Sequence, residues 1–169
     1  MLKKQPQTEV WFAKTHSDAK IPTKRDEDAG YDIYPAFDGD GICIDPHTTV
    51  MISAGICSAF PDDYVMVLKE RGSTGTKGIG QRCGVIDSGF RNTWQVPITN
   101  ETDYPIFIVK RDVPFNYGDG KCVIYPYEKA IAQALLLPVP KVKIVEKNIE
   151  EILNVNSERQ TGMLGSSGK

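Results

Sequence analysis

The sequence lacks any apolar run close to the roughly 20 residues that a membrane-spanning helix requires. Residues 1–8 are polar and show no signal-peptide pattern. Basic residues are not in excess either, because 20 Lys and Arg stand against 22 Asp and Glu, for a formal net charge of −2. We therefore expect a cytoplasmic protein that contacts neither a membrane nor, through a broad basic surface, nucleic acid. A polyanionic ligand would need a local pocket.

Ligands for soft metal ions are also scarce. The chain has two histidines and four cysteines, and no Cys-x-x-Cys pair. The cysteines are Cys43, Cys57, Cys83 and Cys122, and the histidines are His16 and His47. This spacing argues against a zinc site. Because each cysteine has apolar or small neighbours, we expect buried free thiols, which suit a reducing compartment.

The residues that are present indicate one turn-rich globular domain. The chain has 169 residues, of which 40% are hydrophobic, with 15 Gly and 11 Pro spread along it. A chain of this length is most simply a single domain with its own core. Widely spread Gly and Pro favour strands over long helices. We expect the domain to span residues 1–156 and residues 157–169 to form a flexible C-terminal arm.

Short apolar stretches, several of them alternating with polar residues, predict a series of strands. These lie at residues 9–14, 42–44, 48–60, 64–69, 93–99, 105–110, 121–125, 130–139 and 141–146. Residues 148–153 fit either a helical turn or an edge strand. Because Pro97 cannot donate to a ladder, we expect the half-buried strand at 93–99 to lie at an edge or to bulge. Residues 105–110 and 121–125 are expected to pair as one long hairpin, spanning residues 104–127.

Residues 84–91 (GVIDSGFR) combine two apolar residues, an acid, a glycine turn, an aromatic ring and a cation. In a functional interpretation, the Ser-Gly turn aims Asp87 into a cleft, where it deprotonates water, and Phe90 forms a wall. In a structural interpretation, Val85 and Ile86 finish a buried strand and Phe90 packs into the core. The run taken alone leaves both interpretations open.

Three further polar segments allow two interpretations each. Residues 28–34 (DAGYDIY) place acids around a small-residue turn that precedes a strand. Residues 70–78 (ERGSTGTKG) could present N–H groups, hydroxyls and cations to an anion, or could form a solvated turn. Residues 157–169 have the composition of a disordered tail, yet Arg159 and the GSSG cluster at 165–168 would also suit an arm that closes over phosphate.

Together these segments resemble the five motifs of the homotrimeric dUTPase family, in the family's order and over residues 28–169. The five matching segments are residues 29–34, 71–73, 84–91, 130–133, and Arg159 with residues 165–168. Six positions depart from the usual residue, and two of them are Gln160 and Met163, which replace glycines. Gly72 stands where Ser is common, Phe90 replaces Tyr, Ala130 replaces Arg, and Leu164 replaces an aromatic residue.

The resemblance implies hydrolysis of dUTP to dUMP and pyrophosphate, a step in dUMP biosynthesis, with Mg²⁺ as cofactor. It assigns catalytic roles to Asp32, Arg71, Asp87 and Gln133. Asp87 would be the general base that activates the attacking water, and Asp32 would reach the metal indirectly, through water. The residues it assigns to substrate binding are Gly72, Ser73, Gly84, Val85, Ile86, Phe90, Arg159, Leu164, Gly165, Ser166 and Ser167. It also places Gln81 near the base.

The fold implied by the resemblance is an all-β jelly-roll, the dUTPase-like β-clip, assembled as a homotrimer that shares its active sites between subunits. Two other functions remain as alternatives. A dCTP deaminase would have the same fold and a similar turn, but that family carries Glu ten residues after the Asp, where this chain has Pro97. A non-catalytic or regulatory deoxynucleotide-binding module would be compatible with the departures at Gly72, Ala130 and Leu164.

Overall fold

The computed structural model describes residues 8–110 and 120–157, which contain twelve strands and two short helices. The strands are β1 Trp11–Lys14, β2 Tyr31–Ile33, β3 Gly41–Ile44, β4 Thr49–Ser53, β5 Ile56–Ala59, β6 Tyr64–Lys69, β7 Ile79–Gln81, β8 Val85–Ile86, β9 Gln95–Asn100, β10 Ile106–Val109, β11 Val123–Pro126 and β12 Ala132–Pro138. The helices are α1 Gly72–Gly75 and α2 Ile149–Leu153. The prediction of an all-β chain is confirmed. No helix among the described residues is long and apolar enough to cross a bilayer.

The described strands form four small sheets, with the orders β1-β5, β11-β10-β3, β2-β12-β6-β8 and β4-β9-β7. Their inward-facing side chains make one apolar core, in which Trp94 is fully buried. The Trp94 ring meets Phe12 edge to face, and its Nε1 donates to Ser58 Oγ at 3.1 Å. Burying side chains of this size contributes about 1.5–3 kcal/mol each, so the core is the main source of stability.

The sheet β2-β12-β6-β8 separates apolar from polar side chains by strand alternation. Ile33, Ala134 and Leu68 face the core. On the opposite face, the antiparallel register sets Gln133 of β12 directly between Asp32 of β2 and Lys69 of β6. Further along the same face stand five partly or largely exposed aliphatic side chains, which we call the outer aliphatic face: Val65, Val67, Val85, Leu135 and Leu137.

Strand β9 differs from its prediction. It lies between β4 and β7 rather than at an edge, and Val96, Pro97, Ile98 and Thr99 are all buried, so it is covered on both faces. Pro97 is tolerated in this central strand because β7 ends at Gln81, opposite Ile98. The next residue, Arg82, donates its N–H to the Pro97 carbonyl at 2.9 Å. The return bond, which would need a proline N–H, is the only one lost.

The predicted hairpin over residues 104–127 is wrong in direction. Strands β10 and β11 do pair, from Ile106 opposite Val123 to Val109 opposite Pro126, but they run parallel. Thirteen residues separate Val109 from Val123, and a connection of about this length is what a parallel crossover requires. Residues 111–119 of that connection lie outside the described residues.

The C-terminal segment also differs in part. Residues 141–146 carry no ladder hydrogen bonds and are not a strand, although their pattern alternates. Residues 149–153 are helical, which decides between the two interpretations of that stretch. Asn148 caps α2, since its side chain accepts from the Glu151 N–H at 2.8 Å. By internal contacts the chain divides into Met1–Val139 and Pro140–Lys169. The predicted domain 1–156 with an arm at 157–169 stays a prediction.

The cysteines are free thiols but are not buried, contrary to expectation. Cys43 and Cys83 are exposed, and Cys57 and Cys122 are half-buried. Cys43 occupies an outward position of β3, and Cys83 lies in a turn with a φ of 57°. Apolar sequence neighbours therefore indicated the strand but not the face on which each thiol lies.

Replacing Ser58 with Ala tests the polar contact inside the core. The change leaves the buried Trp94 Nε1 without an acceptor, so we expect a loss of about 1–3 kcal/mol in the free energy of unfolding. Urea denaturation measures this loss. Ser17→Ala, at an exposed serine, is the control and should stay within about 0.5 kcal/mol of the starting protein. A Ser58→Ala variant as stable as the control would contradict the role given to this contact.

Candidate active site

A polar cleft of about 820 Å³ opens beside the ends of β2, β6 and β12. Its floor carries Asp32, Arg71 and Gln133, three of the four residues to which the sequence assigned catalytic roles. Its rim includes Gly72 and Ser73, together with much of the loop at residues 23–30. Strand register thus brings together residues that are 101 positions apart in the chain, Asp32 and Gln133.

An ion pair joins two of these residues. Arg71 Nε lies 3.0 Å from Asp32 Oδ1, and both side chains are about one-third exposed. Arg71 Nη1 also donates to Ser73 Oγ at 3.2 Å and reaches the Ala130 carbonyl at 3.5 Å. A partly exposed pair of this kind adds little stability, about 0–1 kcal/mol. The ion pair mainly orients Arg71. It holds the guanidinium at the cleft and leaves other N–H groups of the guanidinium able to donate to an anion.

The predicted loop at residues 70–78 contains one helical turn, α1, whose start holds Arg71 in place. The Arg71 N–H donates to Thr74 Oγ1 at 3.1 Å, and the same hydroxyl donates to the Arg71 carbonyl at 3.0 Å. Thr74 is almost fully buried. Sequence reasoning assigned no role to Thr74, because the usual capping box has Ser or Thr at the cap itself and Glu or Gln three residues later, whereas here the cap is Arg71.

Gln133 is fixed by two neighbours. Its Nε2 donates to the Glu70 carbonyl at 2.8 Å, which leaves Oε1 directed towards Gly30. A Cβ at Gly30 would overlap Oε1 and crowd Cδ and Cβ of Gln133. Only glycine therefore leaves room for this amide. Gly30 belongs to the first motif, but its steric role needs coordinates to be recognised.

A second recess of about 430 Å³ adjoins the ion pair and contains Lys77 and Lys129 beside Arg71 and Ala130. Neither lysine forms an ion pair within the described ranges. Burial raises the pKa of Tyr34, and the Asp32 carboxylate raises it further, so the phenol stays protonated at neutral pH. Burial also raises the pKa of Tyr125, whose hydroxyl donates to the Ala130 carbonyl at 2.6 Å. Lys77 belongs to the loop whose cations the sequence already offered to an anion, whereas sequence reasoning missed Lys129.

Residues 84–91 form a turn at the other end of the same sheet. β8 pairs with β6, and Gly84 has a φ of +125° and lies so close to Leu68 that a Cβ would be 2.8 Å from the Leu68 carbonyl oxygen. The Phe90 N–H donates to the Asp87 carbonyl at 3.0 Å. Phe90 is 39% exposed and Val85 is 68% exposed. The structural interpretation holds for Ile86, which is buried in β8, but is wrong for Val85 and Phe90.

One protomer does not bring Asp87 to the cleft. By register, Asp87 stands opposite Val65, four residues along β6 from Lys69 and three strands away from Asp32. With about 4.8 Å between strands and about 3.3 Å per residue, the separation from Asp32 is roughly 20 Å. No residue of 84–91 lines the cleft or the adjoining recess. Arg159, Leu164, Gly165, Ser166 and Ser167 lie outside the described residues.

These features define a class, an all-β protein with a polar cleft lined by both acidic and basic side chains. The sequence profile of the dUTPase family matches residues 17–113. A deoxyuridine 5'-triphosphate nucleotidohydrolase of Gloeobacter violaceus is 32% identical over 144 residues, which cover 83% of each chain. A protein of the same description from Wolbachia pipientis is also 32% identical, over 85% of this chain and 82% of its own. The chain belongs to the dUTPase family.

Solved structures support the same fold. A point mutant of the Staphylococcus bacteriophage 80alpha dUTPase with dUpNHpp superposes with a TM-score of 0.71 at 22% identity, covering 96% of this chain and 100% of the phage chain. A point mutant of the dUTPase from phage phi11 of S. aureus, described for its structural Mg(II) ion, gives a TM-score of 0.63 at 20% identity over 82% of this chain and 97% of its own. The jelly-roll prediction is confirmed.

Replacing Gly30 with Ala tests the cleft geometry. The new methyl group displaces the Gln133 amide, so a polyphosphate loses one charge-assisted hydrogen bond and should bind about tenfold to a hundredfold more weakly. Calorimetry with dUpNHpp measures the affinity. The control is Gly75→Ala, where the added Cβ meets nothing nearer than the Glu70 Cβ at 3.7 Å. Equal affinities for the two variants would contradict the role of Gly30.

Proposed function

We propose that the chain is a dUTP diphosphatase that hydrolyses dUTP to dUMP and pyrophosphate. The observation that carries the proposal is the convergence of Asp32, Arg71 and Gln133 in one cleft of a chain that belongs to the dUTPase family. Its curated relatives are described as deoxyuridine 5'-triphosphate nucleotidohydrolases. The substrate, the free thiols and the role in dUMP biosynthesis are consistent with a cytoplasmic location.

In this proposal the cleft binds the triphosphate. Arg71 offers guanidinium N–H groups, Gln133 an amide, and Gly72 and Ser73 a backbone and a hydroxyl at the rim. Hydrolysis at phosphorus depends mostly on alignment and on neutralising charge, which these groups supply without a covalent nucleophile. Lys77 and Lys129 extend the cationic surface past Ala130, where the family usually has Arg.

Asp87 is the proposed general base. Its side chain is exposed, and it forms no ion pair or side-chain hydrogen bond with the described residues, so both oxygens are free to accept a proton from water. The water then attacks the α-phosphorus, the bond to the bridging oxygen breaks, and pyrophosphate leaves. Asp87 takes the proton from the water as the new phosphorus–oxygen bond forms.

Recognition of uracil is assigned to the free edge of β8. β8 is the last strand of its sheet among the described residues. The Gly84 carbonyl accepts from the Leu68 N–H at 2.7 Å, so alternation turns the N–H and C=O of Val85 to the open side. A donor and an acceptor there can match uracil and leave the reversed pattern of cytosine unpaired. The half-exposed ring of Phe90 would pack on the deoxyribose and exclude a 2′-hydroxyl.

A homotrimer with shared sites is part of the proposal. The separation of about 20 Å between Asp87 and the cleft means that one chain cannot present both to a single nucleotide. The outer aliphatic face lies between them and is available for burial against a second copy. Val142 and Ile144, in the segment without ladder bonds, are 71% and 87% exposed, which also favours a partner. Arg159, Leu164, Gly165, Ser166 and Ser167 would close over a site as the C-terminal arm.

The donor set fits Mg²⁺ bound mainly through the substrate. The described residues contain no group of three or more His, Cys, Asp or Glu side chains that could hold a metal alone. Asp32 offers one partly exposed carboxylate at the cleft, which can accept a hydrogen bond from a water of the hydrated ion. When bound, the ion would neutralise charge on the triphosphate oxygens.

The direct test is a pyrophosphate-release assay with dUTP and Mg²⁺. We expect release that chelation of Mg²⁺ abolishes, and no conversion of dCTP to dUTP, because Pro97 is buried and cannot carry a proton to the base. Tight binding of dUTP without release would instead identify a deoxynucleotide-binding module. Formation of dUTP from dCTP would identify a deaminase.

Asp87→Asn separates binding from chemistry. The amide keeps the size of the side chain but cannot take a proton, so we expect turnover of dUTP to fall about 10²–10⁴-fold while the affinity for dUpNHpp is retained. Asp40→Asn, at an exposed acid in the turn before β3, is the control and should keep full turnover. Near-normal turnover of Asp87→Asn would exclude Asp87 as the base.

A further inference from the structure

Gln81, the last residue of β7, stands out among the polar side chains because it is only 7% exposed yet belongs to neither the cleft nor the adjoining recess. Its Nε2 donates to two successive backbone carbonyls, that of Arg82 at 2.6 Å and that of Cys83 at 3.1 Å. These residues connect β7 to β8. One buried amide therefore holds the chain that leads into the β8 edge.

The connection held by Gln81 is conformationally unusual. Cys83 has a φ of 57°, which is left-handed and uncommon for a residue with a side chain, and the next residue, Gly84, has a φ of 125°. Such a conformation is strained and persists only where surrounding contacts impose it. The two hydrogen bonds from Gln81 are contacts of this kind. A Cβ at Gly84 would itself lie 3.0 Å from Nε2, so the amide packs directly on the turn.

Pro97 explains why the amide is needed. Arg82 and Pro97 occupy a hydrogen-bonded pair position of the β7 and β9 ladder, since the Arg82 N–H donates to the Pro97 carbonyl at 2.9 Å. At such a position the partner's N–H normally donates back to the first residue's carbonyl. Proline has no N–H, so the Arg82 carbonyl has no backbone donor from β9, and Gln81 Nε2 takes that place.

We propose that Gln81 is a positioning residue that sets the preference for uracil over cytosine, by replacing the N–H missing at Pro97 and holding the turn before β8. The inference rests on the proposed function, in which the free edge of β8 recognises uracil by hydrogen bonds. Gly84 and Val85 follow the turn directly, so a rotation of the Cys83–Gly84 peptide moves the N–H and C=O groups that face the base. Gln81 acts through this backbone and not by touching the base.

The test is the ratio of kcat/KM for dUTP to kcat/KM for dCTP. In Gln81→Met, which keeps the length and removes the donor, we expect this ratio to fall at least about tenfold, because discrimination by hydrogen-bond pattern requires correctly placed partners. The loss should come through a higher KM for dUTP, with kcat changed less than about threefold, since Asp87 and the cleft are not displaced.

A matched control is available in Asn100, which is likewise buried and likewise donates from one amide to two carbonyls, those of Ile44 at 2.9 Å and Tyr104 at 2.7 Å. Asn100 Oδ1 also accepts from Thr102, so Asn100→Leu should destabilise the fold at least as much as Gln81→Met but leave the ratio unchanged. In the double variant Gln81→Met with Pro97→Val, a restored N–H at position 97 can donate to the Arg82 carbonyl, and we expect at least part of the ratio to return.

Two outcomes would overturn the inference. One is an unchanged ratio in Gln81→Met. The other is an equal fall of the ratio in Gln81→Met and Asn100→Leu, which would mean that Gln81 only stabilises the fold.

A second variant covers the case in which Gln81→Met does not fold. Gln81→Asn is too short to reach both carbonyls and should give an intermediate ratio, and an unchanged ratio there also counts against the proposal. A starting protein that does not hydrolyse dUTP would contradict the proposed function instead, and the ratio of dissociation constants for dUMP and dCMP then tests Gln81.

Discussion

The register of β12 between β2 and β6 is the constraint on which the candidate site depends. It sets Gln133 opposite both Asp32 and Lys69, and it brings the end of β6, with Arg71, to the same edge. In a sheet, a shift of one residue moves every side chain to the other face. Such a shift would turn Gln133 into the core and expose Ala132 or Ala134. The buried alanines and the polar cleft are therefore two results of one pairing.

The local sequence pattern was enough to predict the strands but not to predict which strands pair with each other. Alternating apolar and polar residues, together with turn residues, predicted most of the twelve strands and the all-β class. This was possible because the alternation is visible in neighbouring positions of the sequence. The parallel pairing of β10 with β11, the central place of β9 and the missing ladder at residues 141–146 depend on contacts between distant segments. Pro97 was the most misleading residue, because its tolerance in a central strand depends on where β7 ends and on the Gln81 amide.

The candidate site was predictable to a similar extent. Family resemblance named Asp32, Arg71 and Gln133, and the fold places them together. It gave no role to Gly30 or Thr74, since the first acts by leaving space and the second by holding the backbone of Arg71. Both effects require coordinates. The resemblance also named Asp87, which the same chain holds about three strands from the cleft.

Because Asp87 lies far from the cleft of its own chain, the proposed hydrolysis requires an active site shared between subunits. The shared site is tested most directly by mixing two inactive variants, Asp87→Asn and Arg71→Ala, and assembling them together. If Asp87 and Arg71 of one site come from different subunits, a mixed trimer can contain an intact site. In that site the Asp87→Asn subunit supplies Arg71 and the Arg71→Ala subunit supplies Asp87. An equal mixture should then regain about a quarter of the original dUTP turnover, as random closed trimers predict. No recovery in mixed trimers, or a protein that stays monomeric in light scattering, would contradict the shared site.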